Sequence, residues 1–140
     1  EPQASSAGAP DAGAAAAPGT TVLLGDSMGE LTTFYAAADV AFVGGSLVRI
    51  GGHNLLEPAA LALPIVTGPH NENAADIAAL MAACGALEVR PDAAAVGDAV
   101  ARLLRAPDER AARGAAGRAA LAANRGAVRR LLAPVDPLVR

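Results

Sequence analysis

The chain has 140 residues, 53% of them hydrophobic but only 2% aromatic, and a formal charge of −3. This is enough apolar content for one compact domain with a core of aliphatic strands and Ala-rich helices, and it gives no electrostatic case for a nucleic-acid partner, whose binders carry a basic face. All eleven positive side chains are arginines, which excludes a P-loop and any Schiff-base lysine chemistry.

Residues 1–19 are mostly Ala, Gly, Pro and Ser without periodicity and read as a flexible linker, ahead of one domain over residues 20–140. No basic leader with a hydrophobic run stands at the N-terminus, so no signal peptide is expected. No stretch approaches the roughly 20 apolar residues that span a bilayer. Thr20 to Leu24 predicts a short strand, and Met28 to Ala37 a helix with Ser27 and Glu30 at capping-box spacing. Val40 to Val43 is a continuous apolar run, expected as a strand covered on both faces.

A glycine-rich loop follows from Gly44 to Gly52, then a helix from near Asn54 through Leu63. Pro64 to Thr67 predicts a third strand with Gly68-Pro69-His70 as its exit loop. Asn73 to about Cys84 predicts a helix, Ala86 to Val89 a fourth strand, and Asp92 to Arg105 a helix with Asp92 as its N-cap. The lone Cys84 cannot form an internal disulfide and fits a buried, inert role in a reducing compartment. From Pro107 an Arg- and Ala-rich helix is expected to about Leu132, ended by Pro134 and Pro137. Gly114, Gly117 and Gly126 weaken it by about 1 kcal/mol each relative to alanine, and its arginines read most simply as a solvated face.

Strand–helix alternation at this spacing predicts an α/β fold, a Rossmann-like parallel sheet with helices on both faces. Ligands of such sheets sit beyond the carboxyl ends of the strands. Three loops fall there: Gly25 to Gly29, Gly44 to Asn54, and Gly68 to Asn73.

Gly44-Gly45-Ser46 followed by Gly51-Gly52-His53-Asn54 has two readings. Glycines at a strand exit permit close backbone approach to a ligand, and a helix start offers unpaired N–H groups to an anion; equally, the loop only turns a corner. It lacks the G-x-G-x-x-G dinucleotide fingerprint. Glu57 reads either as the capping-box partner of Asn54 or as a carboxylate that accepts two hydrogen bonds from the vicinal hydroxyls of a ribose. Asp26 to Glu30 is either a helix start or part of a nucleotide pocket. His53 and Glu57 stand at i,i+4 but lack a third metal ligand nearby, so no metal site is expected. Ser46 lies outside any G-x-S-x-G elbow, which disfavours a serine hydrolase.

Three segments together, VLLGDSMGEL (Val22 to Leu31), YAAADVAFVGGSLV (Tyr35 to Val48) and GGHNLLEPAALALPIVTGPH (Gly51 to His70), resemble the C-terminal donor-binding domain of 3-deoxy-D-manno-octulosonic acid (Kdo) transferases. The resemblance implies the C-terminal half of a two-domain GT-B glycosyltransferase, with its opening strands missing from this chain. It implies a donor, CMP-Kdo, and an acceptor, a lipid A precursor, met at the cytoplasmic face of the bacterial inner membrane during lipopolysaccharide biosynthesis; neither a cofactor nor a metal is expected. Carried over by position, the donor nucleotide is bound by Met28, Gly29, Glu30, Gly45, Ser46, Gly52, His53, Asn54, Leu55 and Glu57. The acceptor cleft, the membrane-facing patch and the general base are expected in an N-terminal half outside this chain, which leaves no catalytic residue here. The same resemblance implies T-x-N-F after His70, where this chain has Asn71-Glu72-Asn73-Ala74. Two other readings stay open: a different GT-B nucleotide-sugar enzyme using a uridine nucleotide, such as an epimerase, and a non-catalytic binding module.

Overall fold

A computed structural model describes Gly19, residues 22–26 and residues 28–132, with the side chains of residues 126–132 outside the description. The linker expected over residues 1–19, all but Gly19, and the proline stop after Leu132 therefore lie outside the described residues. By its contacts the chain divides into two units, residues 1–31 and 32–140.

In the first unit, Val22 to Asp26 has no regular secondary structure. The strand expected over Thr20 to Leu24 is thus not found at its described residues, Val22 to Leu24. Their β-branched and aliphatic character favours a strand only when a neighbour takes the backbone N–H and C=O groups, and the described sheet pairs only strands further along the chain. Helix α1 (Leu31–Ala36) starts three residues later than expected. Ser27 lies outside the described residues.

The second unit is built on a parallel sheet in the order β1-β2-β3: β1 (Ala41–Val43), β2 (Ile65–Thr67) and β3 (Leu87–Val89). Phe42 stands opposite Val66, and Val66 opposite Glu88. Between β1 and β2 lies α2 (Leu56–Ala60), and between β2 and β3 a 3-10 turn (Glu72–Ala74) leads into α3 (Ala75–Ala83). After β3 come α4 (Ala93–Arg105) and α5 (Pro107–Leu132). Asp92 caps α4 as expected, its Oδ1 accepting from the Ala95 N–H at 2.8 Å.

The period-2 alternation of the strands sorts the core into two faces. On one, Val43, Ile65 and Leu87 pack with Leu55, Ala59, Met81 and Leu121. On the other, Val66 packs with Val96, Ala99 and Leu103 of α4. β1 is not covered on both faces as its apolar run suggested. Phe42 is 41% exposed, because it points to the α4 side at the edge of the sheet, where α4 packs on β2.

α5 is held by its glycines. A Cβ on Gly114 would land on the carbonyl of Ala62, and one on Gly117 would stand 2.9 Å from Ala86 Cβ. Ala62 itself has φ +57°, a left-handed conformation that costs a non-glycine residue about 1–2 kcal/mol. The helix continues unbroken through Gly114, Gly117 and Gly126, so at the first two the lost helix propensity is exchanged for close contact with α2 and α3. Nor is α5 a purely solvated arginine face. Glu88, whose side chain is 10% exposed, pairs with Arg90, with Arg102 (2.6 Å) and with Arg113 (3.3 Å), while Glu109 bridges Arg102 and Arg113. Arg110 donates to the Leu103 and Leu104 carbonyls and pairs with Asp39 at 3.2 Å. Arg105, Arg118 and Arg125 are exposed as expected.

Candidate functional site

The exits of β1 and β2 place two of the three glycine-rich loops side by side. Ser46 joins them. It is fully buried, its Oγ donates to the Val43 carbonyl at 2.6 Å, and it accepts the Gly68 N–H at 2.8 Å. The Ser46 carbonyl also accepts the His70 N–H at 2.9 Å. A Cβ on Gly68 would collide with that carbonyl, which is why a glycine stands at the exit of β2. The hydroxyl expected to hold phosphate is therefore engaged in fixing one loop against the other.

The first loop also closes on itself. The Gly52 N–H donates to the Gly45 carbonyl at 3.0 Å, and Gly45, Gly51 and Gly52 take φ of +69°, +96° and +73°. Such values are accessible to glycine at no steric cost. At Gly45 the missing side chain leaves room for His53, whose Nε2 would lie 2.9 Å from a Cβ there. The second loop grips the first through Asn73. Its N–H donates to the Gly51 carbonyl (2.9 Å), and its Nδ2 to the carbonyls of Ile50 (3.0 Å) and Gly52 (3.3 Å). Departure from T-x-N-F thus leaves this loop well tied. Asn71 Nδ2 donates to the Gly68 carbonyl at 2.8 Å, while its Oδ1 is buried without a partner.

Backbone amides remain for a ligand. Among the described residues the N–H groups of Gly45, His53 and Asn54 make no hydrogen bond to protein. α2, at five residues, is too short for a macrodipole of the size that a long helix brings, so an anion here would be held by individual amides. It also ends at Ala60 rather than running to Leu63. Its start departs from the expected capping box. Asn54 Oδ1 accepts the Leu56 N–H at 2.9 Å, and Asn54 Nδ2 donates to Glu57 Oε1 at 2.9 Å. Glu57 is therefore oriented by the Asn54 side chain. The Leu55 side chain is buried in the core, which limits its contribution to the site to backbone.

Three residues near the site were not among the expected binding residues. Tyr35, the only tyrosine, has its hydroxyl pKa pushed up by burial and then by the negative charge of Glu57. Arg49 sits on the exposed tip of the first loop. Glu72 has its carboxyl held below the ordinary range by its own backbone N–H, then by His70, whose Nδ1 lies 3.2 Å from Oε1, with Arg49 adding to the effect. A lone arginine in a glycine-rich loop was the available signal for Arg49. The pairing of His70 with Glu72 was unreadable without the turn that brings them together. Met28, Gly29 and Glu30 belong to the first unit: Met28 is exposed and Gly29 has φ +86°. Among the described residues no group of three or more His, Cys, Asp or Glu side chains is placed to hold a metal ion.

Residues 14–120 match the family model described as glycosyl transferases group 1. The chain is 48% identical over 119 residues to the 3-deoxy-D-manno-octulosonic acid transferase of Haemophilus influenzae, covering 84% of this chain and 28% of that protein. It is 48% identical over 115 residues to the enzyme of the same name from Bordetella pertussis, covering 82% and 27%. Among solved structures, the C-terminal CMP-Kdo binding domain of WaaA from Acinetobacter baumannii superposes with a TM-score of 0.66 at 39% identity, over 69% of this chain and 51% of that one. The chain thus spans about a quarter of the length of these two relatives, and the resemblance to Kdo transferases read from three short segments holds over most of it. With a parallel sheet, glycine-rich loops at its carboxyl edge and this match, the chain belongs to the group 1 glycosyl transferases.

Proposed function

We propose that this chain is the donor half of a Kdo transferase. It binds CMP-Kdo, and the whole protein moves Kdo to a lipid A precursor at the cytoplasmic face of the inner membrane. The observation that carries this reading is the segment Gly44 to Pro58, which combines amides open to an anion with a carboxylate held in place by Asn54. The amides of Gly45, His53 and Asn54 would receive the phosphate, and Glu57 the ribose hydroxyls.

In the reaction, a base from the N-terminal half takes the proton of an acceptor hydroxyl, whose oxygen attacks the anomeric carbon of Kdo as the bond to CMP breaks, with inversion. The role of this chain is to stabilise the phosphate charge that grows on departing CMP, and the chemistry proposed needs neither a metal nor a cofactor. Contact with the membrane falls to the N-terminal half. Among the described residues of this chain no helix is long and apolar enough to cross a bilayer.

Calorimetric titration of the chain with CMP, UMP and UDP tests the reading. Tighter binding of CMP supports it, and preference for a uridine nucleotide points to a different GT-B enzyme. No binding of any of the three would make the chain a non-catalytic module. Kdo transfer by these 140 residues alone would contradict the assignment of the base to another domain.

A further inference from the structure

The donor carries two anions of different shape, a phosphate diester and the planar carboxylate of an octulosonic acid. The amides at Gly45, His53 and Asn54 suit the first, and nothing assigned so far receives the second. We propose that the cleft between the two crevice loops, about 540 Å³ and lined by Arg49, Ile50, Gly51, His70, Glu72 and Asn73, is the subsite for the acid sugar, with Arg49 taking its carboxylate. This rests on the donor reading above and adds to it a specificity residue.

Position comes first. The cleft adjoins, at Asn73, a cavity of about 350 Å³ lined by Gly52 to Leu56, which include two of the three open amides, those of His53 and Asn54. Its volume falls within the range of small-molecule sites.

Charge comes second. Across the three loops read as lining the crevice, Arg49 is the one arginine. Arg90, Arg102, Arg110 and Arg113 are each paired with carboxylates elsewhere. Among the described residues Arg49 has no carboxylate within 4.0 Å. A guanidinium presents two parallel N–H donors that match a carboxylate, and it is the side chain best suited to bind one.

Third is the treatment of the competing charge. Glu72 also lines the cleft and would repel a carboxylate, but its Oε1 faces His70 Nδ1 at 3.2 Å. Glu72, whose charge Arg49 also helps to stabilise, keeps oxygen acceptors for sugar hydroxyls. A cleft lined by both a cation and a carboxylate acceptor fits a polyhydroxylated acid better than a plain phosphate.

The test is a set of titrations of the isotope-labelled chain with CMP and with CMP-Kdo, followed by NMR, for the native sequence, Arg49→Ala and Arg49→Lys. Arg49→Ala should weaken CMP-Kdo binding about tenfold, with CMP affinity unchanged. Arg49→Lys, which keeps the charge and loses the fork, should fall between. Equal weakening of both ligands would make Arg49 a phosphate group and overturn the proposal, as would no effect on either. Failure of the native chain to bind CMP would remove the donor reading itself, and this proposal with it. Unchanged amide spectra away from the loop in either variant show that the fold is retained.

Discussion

The two ends of the sheet are held by different chemistry. On the flank where β3, α4 and α5 meet, Glu88, Arg90, Arg102, Glu109 and Arg113 form a connected set of ion pairs. At the crevice, the loops are held by uncharged groups: the Ser46 hydroxyl, the Asn54 and Asn73 amides, and backbone N–H groups that fit only because glycines leave room. The contrast has a consequence for function. The crevice keeps its shape without an ion pair from Arg49, which leaves that guanidinium available to the proposed donor, while Arg90, Arg102 and Arg113 on the flank are each held by a carboxylate.

The largest effect that would break this contrast is steric. Gly114→Ala drives a methyl group into the Ala62 carbonyl, and displacing α5 from α2 is expected to cost about 3 kcal/mol, at the upper end for overpacking. Thermal unfolding reads it directly, and a loss below about 1 kcal/mol would mean that α5 shifts at little expense. Next comes Glu88→Gln, which leaves three arginines around a neutral amide. It should cost about 2 kcal/mol, as for hydrogen bonds to charged groups.

The same carboxylate sets a pH dependence. Burial acts to raise the pKa of Glu88, but hydrogen bonds from Arg90 and Arg102 outweigh it and the net direction is down. The unfolded chain therefore binds this proton more readily. The stabilisation is present above the ordinary carboxylate value of about 4.5 and is lost as pH falls through the lower folded value. Urea unfolding between pH 7 and pH 3 should show this decline, and the Glu88→Gln variant should show less of it. An identical acid profile for both would remove the flank from the account.

At the crevice the effects are smaller and independent of charge. Ser46→Ala leaves the Gly68 N–H without its acceptor and should cost about 1.5 kcal/mol, as for an unsatisfied buried donor. It should also weaken CMP binding, since the two loops lose one of the hydrogen bonds that link them. Asn73→Ala removes the donor to the Ile50 and Gly52 carbonyls in an exposed setting, for about 1 kcal/mol. Both losses should persist in 0.5 M salt, whereas the flank variants should lose part of theirs as screening grows.

Much of this was legible in residue order. Apolar runs bounded by glycine and proline located β1, β2 and β3, and the Asp92 cap located the start of α4. What escaped depends on contacts distant in sequence. Val22 to Leu24 has strand composition, but composition does not supply a pairing partner. Gly114 and Gly117 read as helix weaknesses because their role lies in Ala62 and Ala86, up to 52 residues away in the chain. Ser46 was legible as a crevice residue, yet its hydroxyl binds Gly68, 22 residues on. Arg110 and Arg113 of α5 looked solvated because the carboxylates Asp39 and Glu88, with which they pair, lie elsewhere in the chain.

Glu57, aimed by Asn54, is the residue proposed to read the ribose of a cytidine nucleotide. Titration of the native chain and of Glu57→Ala with CMP and with 2′-deoxy-CMP tests it most directly. The native chain is expected to bind CMP about tenfold more tightly than the deoxy form, as for the loss of a hydrogen bond to a charged acceptor, and Glu57→Ala to abolish the difference. Equal binding of the two nucleotides by the native chain, or a preference for CMP that survives the loss of Glu57, would contradict it.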